Sequence, residues 1–229
     1  MLKRLASLAL LVLAACGPLR LGGARTVIAI DPGHPSETAA GNVVQYGTTE
    51  VHIAWVTALA LRDELRRRGY DVVLTKDSES QLVTNRERAE IGNRARAAVM
   101  IRLHLDASRD SGFALYYPDR QGTVNGDTGP TAEVIARSRE AADAVHRGMA
   151  PVLAGHLKDG GVRGDSRTLV GSRQGALTGS IYSKLPAVLI EMATLSNARD
   201  AAFVKSDEGR RLLVRAIAEG VTRFVNDVR

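Results

Sequence analysis

The stretch Val27–His34, with the sequence VIAIDPGH, decides how the rest of the chain is interpreted. Its first four residues are apolar and mostly β-branched, which is typical of a strand buried on both faces of a sheet. We expect the strand to end before Pro32, which lacks a backbone N–H, and Gly33 to supply torsion angles that other residues avoid. His34 then follows the carboxyl end of the strand, where open α/β sheets bind their ligands.

Helical and strand patterns alternate after this stretch. The predicted elements are, in chain order, a helix at 50–68, a strand at 71–76, a helix at 85–96, a strand at 98–104 and a strand at 187–191. This alternation predicts one α/β domain whose strands are joined by right-handed parallel crossovers.

The remaining segments carry weaker patterns. Residues 113–117 predict a further strand at an edge of the sheet, whereas 118–130 and 155–179 are rich in residues typical of loops. Thr131 is a typical N-cap for a helix that runs to about residue 150. Ser206 begins the last helix, whose apolar residues recur at helical spacing.

Length and composition limit the class of protein. The 229 residues suit one domain of medium size, and a hydrophobic share of 45% gives no sign of disorder. The net charge of +6 comes from scattered arginines, aromatic residues make up only 4%, and no motif for nucleic acid is present, so we expect no nucleic-acid partner. A single cysteine excludes an intramolecular disulfide.

The amino-terminal residues have the organisation of an export signal. Lys3 and Arg4 precede an apolar stretch at 5–13 that is too short to span a bilayer. The sequence LAAC at 13–16 resembles the lipobox of bacterial lipoproteins, in which the cysteine is lipidated; an ordinary secretory signal is the alternative. We therefore expect a lipoprotein signal peptide at 1–16 with lipidation at Cys16, a tether at 17–25 and the folded domain at 26–229.

Two histidines and two carboxylates lie at the ends of the predicted elements. His34 follows the first strand, Glu50 opens the first helix, and His104 and Glu191 end two other strands. Two imidazoles and a carboxylate from separate elements are a typical catalytic zinc set, which leaves a fourth position for water. A carboxyl group at the end of a buried strand is expected to have a raised pKa, so Glu191 is the candidate for proton transfer. Spacing this loose does not identify a zinc site by itself.

Four ordered motifs resemble the zinc-dependent N-acetylmuramoyl-L-alanine amidases, the amidase type 3 family of bacterial cell-wall hydrolases. They are DPGH at 31–34, Glu50 with the helix that ends before GYDVVLT at 69–75, Arg86 and Asn93 before IRLH at 101–104, and PAVLIE at 186–191 with Ser196 and Asn197. The resemblance runs from about residue 26 to residue 225. It implies a single α/β domain with a central, mostly parallel, twisted sheet flanked by helices on both faces.

The resemblance also implies a site and a reaction. One Zn²⁺ ion would be held by His34, Glu50 and His104, and Glu191 would be the catalytic carboxylate. The reaction would be hydrolysis of the amide that joins the lactyl group of N-acetylmuramic acid to L-alanine of the stem peptide. Together with the export signal, this implies a peptidoglycan hydrolase that is lipid-anchored through Cys16 in the bacterial cell envelope.

The chain departs from the family pattern near the proposed ligands. Pro35 replaces a glycine that usually follows the histidine, and Arg102 and Leu105-Asp106 flank His104 where serine and alanine are usual. The sequence MATL at 192–195 replaces the glycine and phenylalanine usual after the glutamate. None of these changes removes a proposed ligand.

Other functions stay open on the sequence alone. The zinc site could serve an endopeptidase or carboxypeptidase that cuts within the stem peptide, or the chain could be a non-catalytic peptidoglycan-binding lipoprotein. Some family members carry a long insert whose helix plugs the site until a partner withdraws it. The stretch between His104 and Thr131 is only about one long loop here, so we expect no obligatory activator.

Several other side chains receive weaker assignments, and no substrate-binding residue is assigned. Glu37 is a rival ligand to Glu50, but its loop position anchors it less well. His52 and His146 are expected at the surface, His156 is expected outside the site, and Arg163 and Arg173 either bind stem-peptide carboxylates or are solvated loop charges.

Overall fold

The computed structural model describes residues 25–38 and 40–227. The expected signal peptide with Cys16, and the expected tether up to residue 24, lie outside the described residues. Within the part of the chain that is described, no helix combines the length and the apolar character needed to cross a membrane.

A six-stranded sheet forms the centre of the domain. Its strands are β1 Val27–Pro32, β2 Asp71–Leu74, β3 Val99–Asp106, β4 Phe113–Tyr117, β7 Asp159–Gly164 and β8 Ala187–Thr194, and a separate hairpin consists of β5 Gly122–Val124 and β6 Asp127–Gly129. The sheet has the order β2-β1-β3-β8-β4-β7, and only the β4–β8 pair is antiparallel. The prediction of a single α/β domain with a mostly parallel sheet is confirmed.

Helices cover both faces of this sheet. They are α1 Glu50–Arg67, α2 Asn85–Arg94, α3 Ala132–Leu153, α4 Gly171–Gln174, α5 Thr178–Ile181, α6 Ala198–Lys205 and α7 Asp207–Asp227. Ile28 and Ile30 of β1 face the larger core, which α1, α3, α6 and α7 complete. Ala29 faces the opposite side, where it packs with Met100 in a smaller core against Gly92 of α2. Both faces of β1 are therefore buried, as its apolar run predicts.

β1 runs one residue further than the sequence predicted, because it includes Pro32. Pro32 pairs with Leu103 of β3, and the N–H of Gly33 donates to the Leu103 carbonyl oxygen at 2.9 Å. Successive residues of a parallel strand bond alternately to its two neighbours, so position 32 faces β2. The pairing of β1 with β2 ends at Leu74. The N–H that proline lacks is therefore not needed by the sheet.

β4 is not the edge strand that the sequence predicted. It lies between β8 and β7, and β7 forms the edge of the sheet. The expected loop at 155–179 contains β7, a 3₁₀ turn at Asp165–Arg167, α4 and α5, and the expected loop at 118–130 contains the β5–β6 hairpin. The sequence of β7, DGGVRG, has one large apolar residue and so no alternation that would predict a strand. Its pairing with β4 is what makes it a strand.

α3 and α7 pack against each other through two glycines. A Cβ atom on Gly148 of α3 would lie 2.3 Å from the nitrogen of Gly220 on α7, and one on Gly220 would lie 2.5 Å from Cα of Val145. Glycine costs about 1 kcal/mol relative to alanine within a helix. The close approach of the two backbones offsets this cost by packing α3 and α7 together over the larger core.

We expect Gly148→Ala to lower the free energy of unfolding by about 1 to 3 kcal/mol, because the added methyl group overpacks the contact with Gly220. Urea denaturation followed by circular dichroism measures this change. Arg139→Ala, on the exposed side of the same helix, is the control and should change stability by less than about 0.5 kcal/mol. Equal midpoints for Gly148→Ala and the unmodified chain would contradict the close packing.

Candidate metal centre

The carboxyl ends of three parallel strands bring candidate side chains to one edge of the sheet. His34 follows β1, His104 lies near the end of β3, and Glu191 lies on β8 in register with His104. Glu50 is instead the first residue of α1. The side chain of Thr49 accepts a hydrogen bond from the His52 N–H at 3.1 Å, and this cap fixes where α1 begins.

His34, Glu50 and His104 each offer one donor atom, and these atoms lie within 4.8 Å of one another. Oε1 of Glu50 is 2.9 Å from Nδ1 of His104 and 3.5 Å from Nε2 of His34. Nδ1 of His34 and Nε2 of His104 are buried and have no hydrogen-bond partner among the described residues. Because buried polar atoms are normally paired, these three side chains could hold a metal ion.

The protonation states of these residues also suit a metal. Burial, and next the neighbouring His104, lower the pKa of His34 to about 4, so its imidazole is neutral at neutral pH. Burial alone would raise the pKa of Glu50, but the hydrogen bond with His104 and the charges of the two histidines lower it below its usual value. A neutral imidazole and an ionised carboxylate are the forms that coordinate metals.

Two glycines leave the space that the histidine rings occupy. A Cβ atom on Gly33 would lie 2.6 Å from Cε1 of His104, and one on Gly41 would lie 2.6 Å from Cδ2 of His34. The left-handed torsion angle of the turn after β1 falls on His34, with a φ of 51°, and not on Gly33. Gly33 is therefore needed chiefly for space at the His104 ring.

A buried ion cluster lies next to the turn that carries His34. The carboxylate of Asp31 accepts hydrogen bonds from Nη1 of Arg88 at 2.6 Å, from Nε of Arg102 at 3.0 Å and from the Thr75 hydroxyl at 2.5 Å. Burial alone would raise the pKa of Asp31, but the two guanidinium groups hold it well below its usual range. Asp31 therefore stays ionised, which keeps both guanidinium groups paired.

Arg88 connects this cluster to the backbone of the turn. Its guanidinium group also donates to the carbonyl oxygens of Pro32 at 2.7 Å and Pro35 at 2.8 Å. Nζ of Lys76 donates to the carbonyl oxygen of His34. These bonds hold the backbone on both sides of His34, so the imidazole is oriented by the protein alone.

Glu191 lies beside the three donor residues. Burial, and next the charges of Glu50 and Asp106, raise its pKa well above the usual value, and Arg102 opposes this shift. Oε2 of Glu191 is buried and has no hydrogen-bond partner within the described residues. A carboxyl group with a raised pKa can both accept and release a proton near neutral pH, which general acid–base catalysis requires.

A cavity of about 330 Å³ opens onto this group. Its polar lining includes His34, Asn85, Arg102, His104 and Glu191. Part of its wall comes from Thr168–Val170 and from Leu177-Thr178, within the segment that the sequence predicted as a loop. The cavity has the size of a small-molecule cleft and contains potential metal ligands, a proton carrier and a cation.

Residues 28–223 match the family described as N-acetylmuramoyl-L-alanine amidase. The chain belongs to this amidase family. The amidase AmiC of Neisseria meningitidis is 28% identical, over 89% of this chain and 54% of its own length, so the chain spans about half of that relative. An N-acetylmuramoyl-L-alanine amidase of Mycobacterium tuberculosis is 25% identical, over 93% of this chain and 90% of its own length.

Solved amidase structures share the fold. The catalytic domain of CwlV from Bacillus (Paenibacillus) polymyxa var. colistinus superposes with a TM-score of 0.69 and 22% identity, over 88% of this chain and 98% of that chain. The amidase Ami1 of Mycobacterium smegmatis gives a TM-score of 0.70 and 22% identity, over 88% and 97% of the two chains. The family resemblance read from the sequence is thus confirmed.

The other histidines named from the sequence lie outside the cavity of this amidase-family domain. His52 and His156 are exposed, as expected. His146 is not the freely solvated side chain that the sequence predicted, because its side chain is only 25% exposed and its Nε2 is 2.9 Å from Asp159. The pairing of β7 with β4 brings Asp159 alongside α3, which the sequence could not indicate.

Glu37 and the two candidate arginines also lie away from the donor atoms. Glu37 accepts hydrogen bonds from the backbone N–H and Nδ2 of Asn85 at 2.9 and 3.0 Å. Arg163 donates to the Gly160 carbonyl oxygen and lines a separate, smaller cavity behind Glu191. Arg173 is exposed on α4 and does not line the main cavity.

The roles of Arg88, Arg102 and Asn85 in the site were not predicted from the sequence. The sequence did contain an indication of the role of Arg102. A charged residue within an otherwise apolar strand needs a buried partner of opposite charge. Arg88 gave no such signal, since arginine is common in α2 and most helical arginines are exposed. Only the fold brings Arg88 to the carboxylate of Asp31.

We expect Asp31→Asn to lower the free energy of unfolding by about 3 to 5 kcal/mol, because it leaves two buried guanidinium groups without their counter-charge. Chemical denaturation of the purified domain measures the loss. Asp63→Asn is a matched control, because Asp63 pairs with Arg62 at the surface, where such pairs contribute less than about 1 kcal/mol. Equal losses in the two variants would contradict the role of the buried cluster.

Proposed function

We propose that this chain hydrolyses the amide bond between N-acetylmuramic acid and L-alanine of peptidoglycan stem peptides, with one Zn²⁺ ion held by His34, Glu50 and His104. The observation that carries the proposal is the convergence of these three donors within 4.8 Å, beside the carboxyl group of Glu191. Membership of the amidase family supports the choice of substrate.

The residues present fit a zinc ion. Two imidazoles and one ionised carboxylate, each with a donor atom within 4.8 Å of the other two, match the nitrogen and oxygen donors that catalytic zinc sites use. A Zn²⁺ ion bound there would supply Lewis acidity, which polarises a carbonyl group and makes water a better nucleophile. Asp31, Arg88 and Lys76 support the site by fixing the backbone around His34.

Glu191 moves the proton in the proposed reaction. Its carboxylate accepts a proton from the attacking water and then donates it to the nitrogen of L-alanine, which must be protonated to leave as an amine. The raised pKa makes the carboxylate a stronger base and keeps the transfer to nitrogen possible near neutral pH. The buried position of Oε2 limits competition from bulk water.

No obligatory activator is needed in this proposal. Within the described residues, the chain between β3 and α3 contains β4 and the β5–β6 hairpin but no helix that could plug the cavity. Part of the cavity wall comes instead from the segment before β8. The purified domain should therefore act on peptidoglycan without a partner protein.

Substitution of Glu191 by glutamine should separate proton transfer from metal binding. We expect Glu191→Gln to retain zinc but to lower the rate of wall hydrolysis by about 100- to 10,000-fold, as for the loss of a general acid–base group. Glu50→Gln should lose zinc as well as activity. Glu37→Gln is the matched control and should retain its zinc. Metal analysis after dialysis and release of peptides from purified peptidoglycan measure the two properties.

Mass spectrometry of the released peptides separates the candidate functions in the same experiment. Intact stem peptides that begin with L-alanine support the amidase, and shortened peptides would instead indicate an endopeptidase or carboxypeptidase. Equal release by the unmodified chain and Glu191→Gln would contradict the role of Glu191, and no release by either would favour a binding protein. Activity that requires an added partner would contradict the absence of an activator.

We also infer that the protein is exported and lipid-anchored in the cell envelope through Cys16. The lipobox-like LAAC sequence supports this inference, and so does a substrate that lies outside the cytoplasm. With the tether at 17–25, the catalytic domain at 26–229 would act close to the membrane surface.

Replacement of Cys16 tests the anchor. We expect the unmodified chain, expressed in a bacterium with a lipoprotein pathway, to partition into detergent and to carry the added mass of acyl chains. Cys16→Ser should remove the added mass and shift the protein to the aqueous phase or leave it as an uncleaved precursor. An aqueous, unacylated mature form of the unmodified chain would identify an ordinary secretory signal instead.

A further inference from the structure

Arg102 places a cationic group inside the cavity next to the candidate metal ligands. It lies on β3 two residues before His104, so both side chains lie on the same face of the strand, with their backbones roughly 7 Å apart. Arg102 lines the same cavity as His34, His104 and Glu191. The resemblance to the amidase family implies a small serine near this position, where this chain has the arginine.

The guanidinium group of Arg102 is held rigidly on one side and open on the other. Nε donates to Oδ2 of Asp31 at 3.0 Å, and Nη2 donates to Oδ1 of Asn85 at 2.9 Å. Gly179 packs against the guanidinium group, because a Cβ atom at that position would lie 2.9 Å from both the guanidinium carbon and Nη1. Nη1 has no hydrogen-bond acceptor among the described residues. The arginine is therefore oriented in advance, with one donor edge free.

The nearby acidic groups do not pair with this free edge. Asp31 is shared with Arg88. Oδ2 of Asp165 accepts from the N–H of Leu177, and Oδ1 of Asp165 is buried without a hydrogen bond to Arg102 or to any other described residue. Glu191 has no hydrogen bond to Arg102 or to any other described residue through Oε2. No described residue accepts a hydrogen bond from Nη1, so a ligand in the cavity can supply the acceptor, and a guanidinium group binds a carboxylate better than a neutral oxygen because of the charge.

We propose that Arg102 binds a free carboxylate on the residue that follows L-alanine in the stem peptide, and so selects stem peptides in which that carboxyl group is not amidated. The inference rests on the proposed amidase function for the identity of the peptide. Arg102 lines the same cavity as His34, His104 and Glu191, so a peptide whose scissile amide lies at these residues can place the residue after L-alanine against the guanidinium group. Arg163 and Arg173, which the sequence offered for this role, do not line the cavity.

Binding to a variant that cannot turn over tests the inference without relying on catalysis. The protein is zinc-loaded Glu191→Gln, and the probes are two muropeptides that differ only in glutamate or isoglutamine after L-alanine. We expect calorimetry to give a dissociation constant about 10- to 100-fold lower for the free carboxylate, the range of a hydrogen bond to a charged group. The unmodified chain should show a preference of similar size in kcat/KM.

Variants at position 102 assign the preference to the arginine. Added to the same background, Arg102→Gln should bring the ratio of the two dissociation constants close to one, and Arg102→Lys should keep part of it, because the charge remains but the fixed donor edge is lost. Arg173→Gln is the matched control and should leave the ratio unchanged. Thermal unfolding and zinc content of each variant report whether the fold and the site survive.

Two results would overturn the inference. One is equal affinity for the two muropeptides, or a preference for the amidated one, in the Glu191→Gln protein itself, which does not depend on the folding of any Arg102 variant. The other is a folded, zinc-loaded Arg102→Gln variant that keeps the full preference. If the carboxylate is preferred in binding but the unmodified chain cleaves neither muropeptide and no peptidoglycan, the proposed hydrolysis fails while the carboxylate site stands.

Discussion

The carboxylate of Asp31, buried between the guanidinium groups of Arg88 and Arg102, is the interaction on which the site depends. Moving these charges out of water costs a large desolvation free energy, which only close pairing of the carboxylate with the guanidinium groups offsets. Few other arrangements of the three side chains would therefore be stable. It joins β1 to β3 and to α2. Because Arg88 also binds the carbonyl oxygens of Pro32 and Pro35, the same cluster determines the position of His34.

The order of the parallel strands then brings the other groups to that turn. β3 lies between β1 and β8, so His104 has His34 on one side and Glu191 on the other. Glu50 completes the set from the amino end of α1, where its hydrogen bond with His104 keeps it ionised despite burial. The result is an ionised carboxylate at Glu50 and a carboxyl group of raised pKa at Glu191 in neighbouring positions, an arrangement that suits the proposed division between metal binding and proton transfer.

Local departures from the amidase pattern change the chemistry of the cavity and leave the fold intact. Arg102 introduces a cation where the family usually has serine, and the Asp31 cluster provides the counter-charge that makes it tolerable. The charge of Asp106 contributes to the raised pKa of Glu191. The donor atoms of His34, Glu50 and His104 still lie within 4.8 Å of one another beside these substitutions.

The sequence by itself determined the buried strands β1, β3 and β8, the long amphipathic helices and the family, because burial periodicity and caps are local properties of the chain. It also grouped His34, Glu50, His104 and Glu191 as one candidate site. The order of the family motifs along the chain indicated this group, whereas the spacing between the four residues did not. Only the tertiary structure decided that β4 is internal, that β7 is a strand and that Asp31 pairs with Arg88 and Arg102. Each of these depends on contacts between residues far apart in the chain, and the energy of such a contact exists only once the fold has brought its partners together.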